Sequence, residues 1–295
     1  MEEKAKKTKF IYYKKVRENY KKENNKSIRP KKSLGQNFLN SKTIIKKIVE
    51  AGNVFPGDTI LEIGPGKGIL TEALLEKGAV VIAIEKDTRL IEHLESKFKD
   101  YIEKGMLIIK NVDVLIYDTR EINSAYKIIA NIPYYITGEI LEKFLSGEHQ
   151  PMQMVLLLQR EVVARIVARD NKESILSLSI KAYGTPRIVI KVPKKYFTPS
   201  PKVDSAVISI EDISKERLGT VGEYEFFKVV KEGFKHKRKV LIQNLSSIAP
   251  REKILKVFTA LDINEKIRAE DLNFSQWICI IDSLNDTLLN NDTIN

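Results

Sequence analysis

Residues 58–68 read Asp-Thr-Ile-Leu-Glu-Ile-Gly-Pro-Gly-Lys-Gly, "DTILEIGPGKG". A short apolar run ending in glycines is a buried strand that turns sharply, and the "LTEALLEKG" that follows at 70–78 has helical period. The same pattern repeats outward from it. "AVVIAIE" (79–85), "MLIIKN" (106–111), "YKIIAN" (126–131) and "MQMVLLLQ" (152–159) read as strands. "SKTIIKKIVEAG" (41–52), "TRLIEHLESKF" (88–98) and "GEILEKFL" (138–145) read as helices. Strands that are continuously apolar rather than alternating, separated by amphipathic helices, predict an α/β fold: a Rossmann-like, mostly parallel sheet covered on both faces. "RIVIKV" (187–192) and "SAVISI" (205–210) read as two closing strands, a hairpin-like pair. Behind "EDISKERLGTVGE" the strand signals stop and four helical stretches follow, so a boundary falls near residue 211. The expected organisation is a basic tail over 1–32, the α/β domain over 33–211 and a small all-helical domain over 212–295.

Composition narrows the class. The 295 residues are 43% hydrophobic and 30% charged, the profile of a globular protein. No apolar stretch approaches the roughly 20 residues of a membrane span. "MEEKAKKTKF" has no apolar core segment, so a secretory signal is not expected. Cys279 is the single cysteine, and His93, His149 and His236 are scattered, so neither a disulfide framework nor a metal site is expected, and a cytoplasmic setting is the default. The net charge is +11, and residues 1–32 carry thirteen Lys or Arg against four Glu. Two readings of that block stand: a disordered basic arm that neutralises phosphates, or a solvated extension without a role. A transit peptide fits less well, because the block is Lys-rich and contains acids.

In an open parallel sheet, ligands sit at the carboxyl ends of the strands near the point where strand order reverses. The first strand ends in Gly64, Gly66 and Gly68, which let the backbone approach a ligand and aim helix N-terminal amides at it. The second ends in Glu85, 21 residues beyond Gly64 and followed by Lys86. A carboxylate there is placed to accept from both ribose hydroxyls of a nucleoside. The third leads into "NVDVL" (111–115), whose Asp113 suits an adenine amino group. This describes a site for an adenosine-containing cofactor, NAD or S-adenosylmethionine. The spacing Gly-x-Gly-x-Gly departs from the Gly-x-Gly-x-x-Gly that seats a pyrophosphate, which favours S-adenosylmethionine.

The fourth strand ends in "NIPYY" (131–135). A proline after a strand is ordinary punctuation. An amide beside aromatic rings is also what a nucleobase would meet. The exocyclic amine of adenine is a poor nucleophile, because its lone pair is delocalised into the ring. Two acceptors, the Asn131 side chain and the Ile132 main-chain oxygen, would draw it toward tetrahedral geometry, with Pro133 fixing the turn and Tyr134 stacking on the base.

With those residues, the chain resembles the small-subunit ribosomal RNA adenine dimethyltransferases. The resemblance runs in order through "LGQNFL" (34–39), "LEIGPGKGILT" (61–71), Glu85, Asp113, "NIPY" (131–134), "FTPSPKVDSAV" (197–207) and "FKHKRKVLIQNL" (234–245). It implies a methyltransferase domain followed by a helical RNA-binding domain, and transfer of methyl groups to N6 of two adjacent adenosines near the 3′ end of the small-subunit RNA. By motif, the cofactor residues would be Asn37, Leu39, Gly64, Gly66, Glu85, Lys86, Asp113, Val114 and Asn131. The catalytic set would be Asn131, Ile132, Pro133 and Tyr134, with Phe197 on the opposite face of the target base. Lys235, Lys237, Arg238 and Lys239 would meet RNA phosphates. The implied partner is the small-subunit RNA or a partly assembled subunit, met by a monomer with no membrane.

Two positions depart from the family's pattern, Ile132 where Leu is usual and Tyr135 where Asn is usual. The large-subunit adenine methyltransferases of macrolide resistance share "QNFL" and "NIPY", but Gly35 and "PKVDSAV" fit them less well. A catalytically silent assembly factor would have lost part of the set Gly64, Glu85, Asp113, Asn131 and Tyr134, all present here. An NAD oxidoreductase leaves "NIPY" unexplained.

Overall fold

The computed structural model describes residues 29–31 and 34–292, with side chains to residue 284. The basic segment 1–32 therefore lies outside the described residues, apart from residues 29–31. The chain divides into two compact units, 1–36 and 37–295. In the first, Leu34 N donates to Lys31 O (3.1 Å) and Lys31 N to Gln36 Oε1 (2.8 Å).

The strands of the second unit, in chain order, are β1 (Phe38–Leu39), β2 (Thr59–Ile63), β3 (Val80–Glu85), β4 (Leu107–Asn111), β5 (Tyr126–Asn131), β6 (Gln153–Gln159), β7 (Thr185–Val192), β8 (Phe197–Thr198) and β9 (Ser205–Glu211). Up to β9 the helices are α1 (Lys42–Ala51), α2 (Ile69–Glu76), α3 (Thr88–Lys97), α4 (Lys99–Glu103), α5 (Thr137–Ser146), α6 (Arg160–Ile166) and α7 (Ile175–Lys181). Beyond it lie α8 (Glu223–Gly233), α9 (Leu241–Leu245), α10 (Arg251–Ala260) and α11 (Phe274–Asp292). No described helix is long and apolar enough to cross a membrane.

Seven strands form one sheet in the order β4-β3-β2-β5-β6-β9-β7. β4 to β6 run parallel, while β9 pairs antiparallel with both β6 and β7. The two closing strands expected from sequence are thus neighbours, with β9 inserted between β6 and β7. Alternate residues on each strand serve opposite faces. Leu61, Ile63, Ile128 and Leu156 enter one apolar cluster; Ile60, Val81, Ile129 and Val155 enter a second with Ile48 and Leu74 of α1 and α2. Helices on both faces are the reason the interiors of β2, β3 and β6 are apolar on both faces, Glu62 of β2 excepted, and the fold is the expected Rossmann-like one.

The first cluster does not stop at the sheet. It continues through Phe226 and Val230 of α8 and Leu241 of α9 to Trp277 of α11. Trp277 is fully buried and stacks on Phe234, with ring centroids 5.8 Å apart. Gly233 makes room for it: a Cβ there would lie 2.5 Å from the indole. Polar ties run alongside, from Tyr183 Oη to Glu223 Oε1 (2.7 Å) and from Glu173 N to Glu270 O (2.7 Å). Replacing Trp277 by Ala should cost about 3–5 kcal/mol, because it removes both the indole's contacts and its burial. Urea unfolding followed by far-UV circular dichroism would check this.

Candidate active site

The chain fills one half of the sheet with β2, β3 and β4, then returns past β2 to lay down β5 and β6. The ends of β2 and β5 consequently open side by side. The turn after β2 is tight. Gly64, Gly66 and Gly68 all adopt left-handed φ, at +66°, +59° and +75°. Neighbours close in as well: a Cβ on Gly68 would lie 2.5 Å from the Phe98 ring, and one on Gly66 3.0 Å from Phe38. A side chain at either position would therefore meet both backbone strain and a clash. A Cβ on Gly64 would sit 3.7 Å from Asn131 O, so the two strand ends are in near contact. Between them lies a cavity of about 320 Å³ lined by Phe38, Leu39, Glu62, Gly64, Gly66 and Asn131 among others.

Two buried carboxylates face this region. Glu85 ends β3, and it accepts from Asp87 N at 2.8 Å and from Gly66 N at 3.4 Å. Burial raises its pKa, and those backbone donors oppose the rise. Glu62, inside β2, is fully buried, and its Oε2 has no hydrogen-bond partner among the described residues. Burial pushes its carboxyl up to about 8, and the neighbouring Glu85 charge adds to the effect. Sequence reading did not single out Glu62. The available signal was a lone acid in the middle of the apolar run "TILEI".

At the end of β4, Asp113 Oδ1 accepts from Leu115 N (3.0 Å) and Oδ2 from Lys86 Nζ (2.7 Å). The Lys86 bond holds the Asp113 carboxyl below its ordinary range. Val114 beside it is buried, and Asn111 Nδ2 donates to Glu85 O (2.9 Å), tying the ends of β3 and β4 together.

The "NIPY" segment leaves β5 through Pro133, at φ −61° and ψ 130°, into a single 3₁₀ turn over Tyr134–Ile136. Asn131 Nδ2 donates to Asn37 O at 3.2 Å, which leaves the amide oxygen as an acceptor. Ile132 is buried, and Tyr134 Oη lies 2.6 Å from Ser205 Oγ at the start of β9. Tyr135 is 57% exposed.

Two motifs far apart in sequence meet in the small β1-β8 ladder, where Leu39 pairs with Phe197 and Phe38 with Thr198. Asn40 reinforces the ladder, with Nδ2 donating to Thr198 Oγ1 (2.6 Å) and its backbone N to Tyr196 O (2.8 Å). Phe197 is only 4% exposed and belongs to the second apolar cluster. Asp204 accepts from Lys194 N (3.0 Å) and lies 3.9 Å from Arg160, joining those two segments; the exposed Lys195 and Lys202 neighbour Lys194 and Asp204 in sequence. Sequence reading also missed these cations, which come from three separate segments of the chain: the start of α6, a 3₁₀ turn and a loop.

Lys235, Lys237, Arg238 and Lys239 stand elsewhere, in the turn between α8 and α9, and all are exposed. Lys235 pairs with Glu232 at 2.9 Å. Asn244 holds the turn from beneath, with Nδ2 donating to Gly233 O (2.5 Å) and His236 O (3.3 Å).

Residues 27–286 match the family model described as ribosomal RNA adenine dimethylase. The chain belongs to this family. Its members are methyltransferases that use S-adenosylmethionine, and this chain is an enzyme of that kind. It is 39% identical over 256 residues to ribosomal RNA small subunit methyltransferase A of Dehalococcoides mccartyi, covering 85% of this chain and 87% of that one. The protein of the same name from Fusobacterium nucleatum is also 39% identical, over 85% of this chain and 96% of its own length. Among solved structures, a dimethyladenosine transferase from Plasmodium falciparum superposes with a TM-score of 0.73 at 25% identity, covering 85% of this chain and 98% of that one. The 23S rRNA methyltransferase ErmE superposes at 0.72 and 22% identity, covering 84% of this chain and 100% of that one, and shares the fold.

The Glu62 carboxyl makes the stability of the ligand-free enzyme depend on pH. Its folded-state value of about 8 lies above the ordinary 4.5. The native state therefore keeps the proton that the unfolded chain loses, so this contribution is full at low pH and disappears as pH rises through the folded value. Glu62→Gln should remove that slope, gaining on the parent by on the order of 2–4 kcal/mol between about pH 5 and about pH 8. Urea midpoints of both proteins at the two pH values would check it.

Proposed function

We propose that this chain transfers methyl groups from S-adenosylmethionine to N6 of two adjacent adenosines near the 3′ end of small-subunit ribosomal RNA. The supporting observation is the near contact of the glycine turn with the "NIPY" segment, which would bring a methyl donor and a target amine to one crevice. The choice of the small subunit rests on the two relatives that carry that description.

The residues present fit the donor. Gly64 and Gly66 form a cradle that a side chain would fill, Glu85 offers a buried acceptor for ribose hydroxyls, and Asp113 offers one for the adenine amine. Asn37, Leu39 and Val114 complete the surround, with Lys86 standing on Asp113, and Glu62 adds an unpartnered carboxyl oxygen to the cavity wall. When bound, S-adenosylmethionine supplies an electrophilic methyl group on a sulfonium.

The chain's task is then to aim a nucleophile. Asn131 Oδ1 and Ile132 O accept the two N6 hydrogens, which localises the amine lone pair toward the crevice. Asn131 is itself steadied by its bond to Asn37 O. Pro133 sets the direction of the Ile132 carbonyl. Tyr134, fixed through Ser205, offers its ring to one face of the base, whereas Phe197, expected on the other face, is enclosed in the second apolar cluster and would have to emerge to stack. Methylation acidifies the amine, so no general base is needed before attack.

In this reading residues 33–211 hold the donor and 212–295 grip the RNA. Lys235, Lys237, Arg238 and Lys239 face phosphates at one site, and Arg160, Lys194, Lys195 and Lys202 face those flanking the target base. The enzyme would act as a cytoplasmic monomer on the RNA or on a partly assembled subunit.

Transfer of labelled methyl to under-methylated small subunits and, in parallel, to large-subunit RNA tests the substrate. We expect N6,N6-dimethyladenosine in the small-subunit RNA alone, and label in the large-subunit RNA would overturn the assignment. Asn131→Ala should abolish transfer while S-adenosylmethionine affinity stays within about tenfold, roughly 1.4 kcal/mol. Replacing Lys194, Lys195 and Lys202 together by Gln should lower the salt slope of RNA binding by about 2, measured by filter binding across a salt series.

A further inference from the structure

Asp113 sits on a rigid platform. Ile116 N and Tyr117 N each donate to Asp113 O at 3.1 Å. Lys143 of α5 reaches across to clamp the same loop, donating to Leu115 O at 3.0 Å and Tyr117 O at 2.8 Å. The side chain is equally constrained, because Oδ1 is committed to Leu115 N and Oδ2 receives the Lys86 ammonium. An adenine amine approaching this carboxylate therefore finds both oxygens already engaged.

We propose that Lys86 is a placeholder on the adenine acceptor: in the free enzyme its ammonium occupies Asp113 Oδ2, and the N6 amine of the cofactor's adenine takes over that oxygen on binding. The proposal rests on the reading of Asp113 as the adenine acceptor. Its consequence is that Lys86, next to the ribose acceptor Glu85 in sequence yet opposed to the ligand in effect, sets adenosyl affinity lower than the site would otherwise give.

Three features make displacement the outcome rather than a shared bond. At 2.7 Å the ammonium is at full hydrogen-bonding distance on Oδ2, and although that oxygen has a second lone pair, the compact positive charge beside it opposes the approach of another N–H donor. The pair is exposed, with the Lys86 side chain 58% and the Asp113 side chain 29% accessible, and an ion pair so open to water is weak. Lys86 also has somewhere to go: its side chain is already largely exposed, and its flexible stem can carry the ammonium into solvent. When it leaves, the carboxylate is not abandoned, because Lys143 still lies within electrostatic reach of Asp113.

The test measures binding alone, by titration calorimetry, using S-adenosylhomocysteine, which carries no net charge. Its counterpart S-inosylhomocysteine has a carbonyl in place of the amine. Lys86→Met should tighten S-adenosylhomocysteine about threefold, the size expected for losing an exposed competitor. In the parent protein, added salt should tighten the same ligand by screening the ion pair. Lys86→Met should lose that response and Lys86→Arg should keep it. The preference for the adenosyl over the inosyl ligand should widen in Lys86→Met, because no cation remains to meet the inosyl carbonyl. Unchanged or weakened S-adenosylhomocysteine binding in Lys86→Met would overturn the proposal. Asp113→Ala separates that failure from a failure of the underlying reading. If the adenosyl-to-inosyl preference is the same in Asp113→Ala as in the parent, adenine does not meet Asp113, and both ideas fall together.

Discussion

All strands of a parallel sheet end on the same edge, and where the chain reverses its direction across the sheet two neighbouring ends part company and leave a crevice. In this protein those ends belong to β2 and β5, and the crevice is usable because the turn after β2 carries no side chains that would fill it. A side chain at Gly66 or Gly68 would run into Phe38, or into Phe98 and Leu94. The cradle is thus shaped from behind by packing as much as from in front by its own backbone. Everything else in the site takes its place relative to that turn: Glu85 through its bond to Gly66 N, and Asn131 through the near contact with Gly64.

The parts legible in sequence are those where one physical signal dominates a whole segment. β2, β3, β5 and β6 are largely buried on both faces, and their predominantly apolar runs announce it despite Glu62 in β2 and Lys127 in β5. The glycine spacing and the distance from Gly64 to Glu85 are local, so they too can be read directly. What escaped is short or assembled at long range. β1 and β8 have two residues each, too few for any period, yet their pairing joins positions 39 and 197. The bond from Asn131 to Asn37 spans 94 residues. α6 follows β6 without a break in "QREVVARI", and a seven-residue helix gives the helical period barely two turns to show itself. Sequence likewise marks Phe197 as aromatic and near the site without revealing how deeply the second apolar cluster encloses it.

Charge in the molecule is arranged by depth. The acids Glu62 and Glu85 are sunk into the site, where burial opposes ionisation of both and the Glu85 charge adds to the effect on Glu62. The cations stand outside, at the 160, 194–195 and 202 rim and in the 235–239 turn, where water screens them. A cationic donor and a polyanionic acceptor would each find the complementary environment at its own level. Asp113 lies between the two zones, which is why it can be held by a lysine that remains largely in solvent.

The apolar cluster that runs from the sheet into α8, α9 and α11 bears on how this chain can be divided. Phe226, Val230 and Trp277 do not form a core of their own; they complete the one that begins at Leu61 and Leu156. A gene cut after residue 211 would therefore not release a minimal catalytic module. It would yield a fragment with a bare greasy flank, prone to clumping, and a helical remainder with nothing to fold against. Grafting a foreign RNA-gripping segment onto this catalyst would require redesigning the seam between them and not merely the junction in the chain.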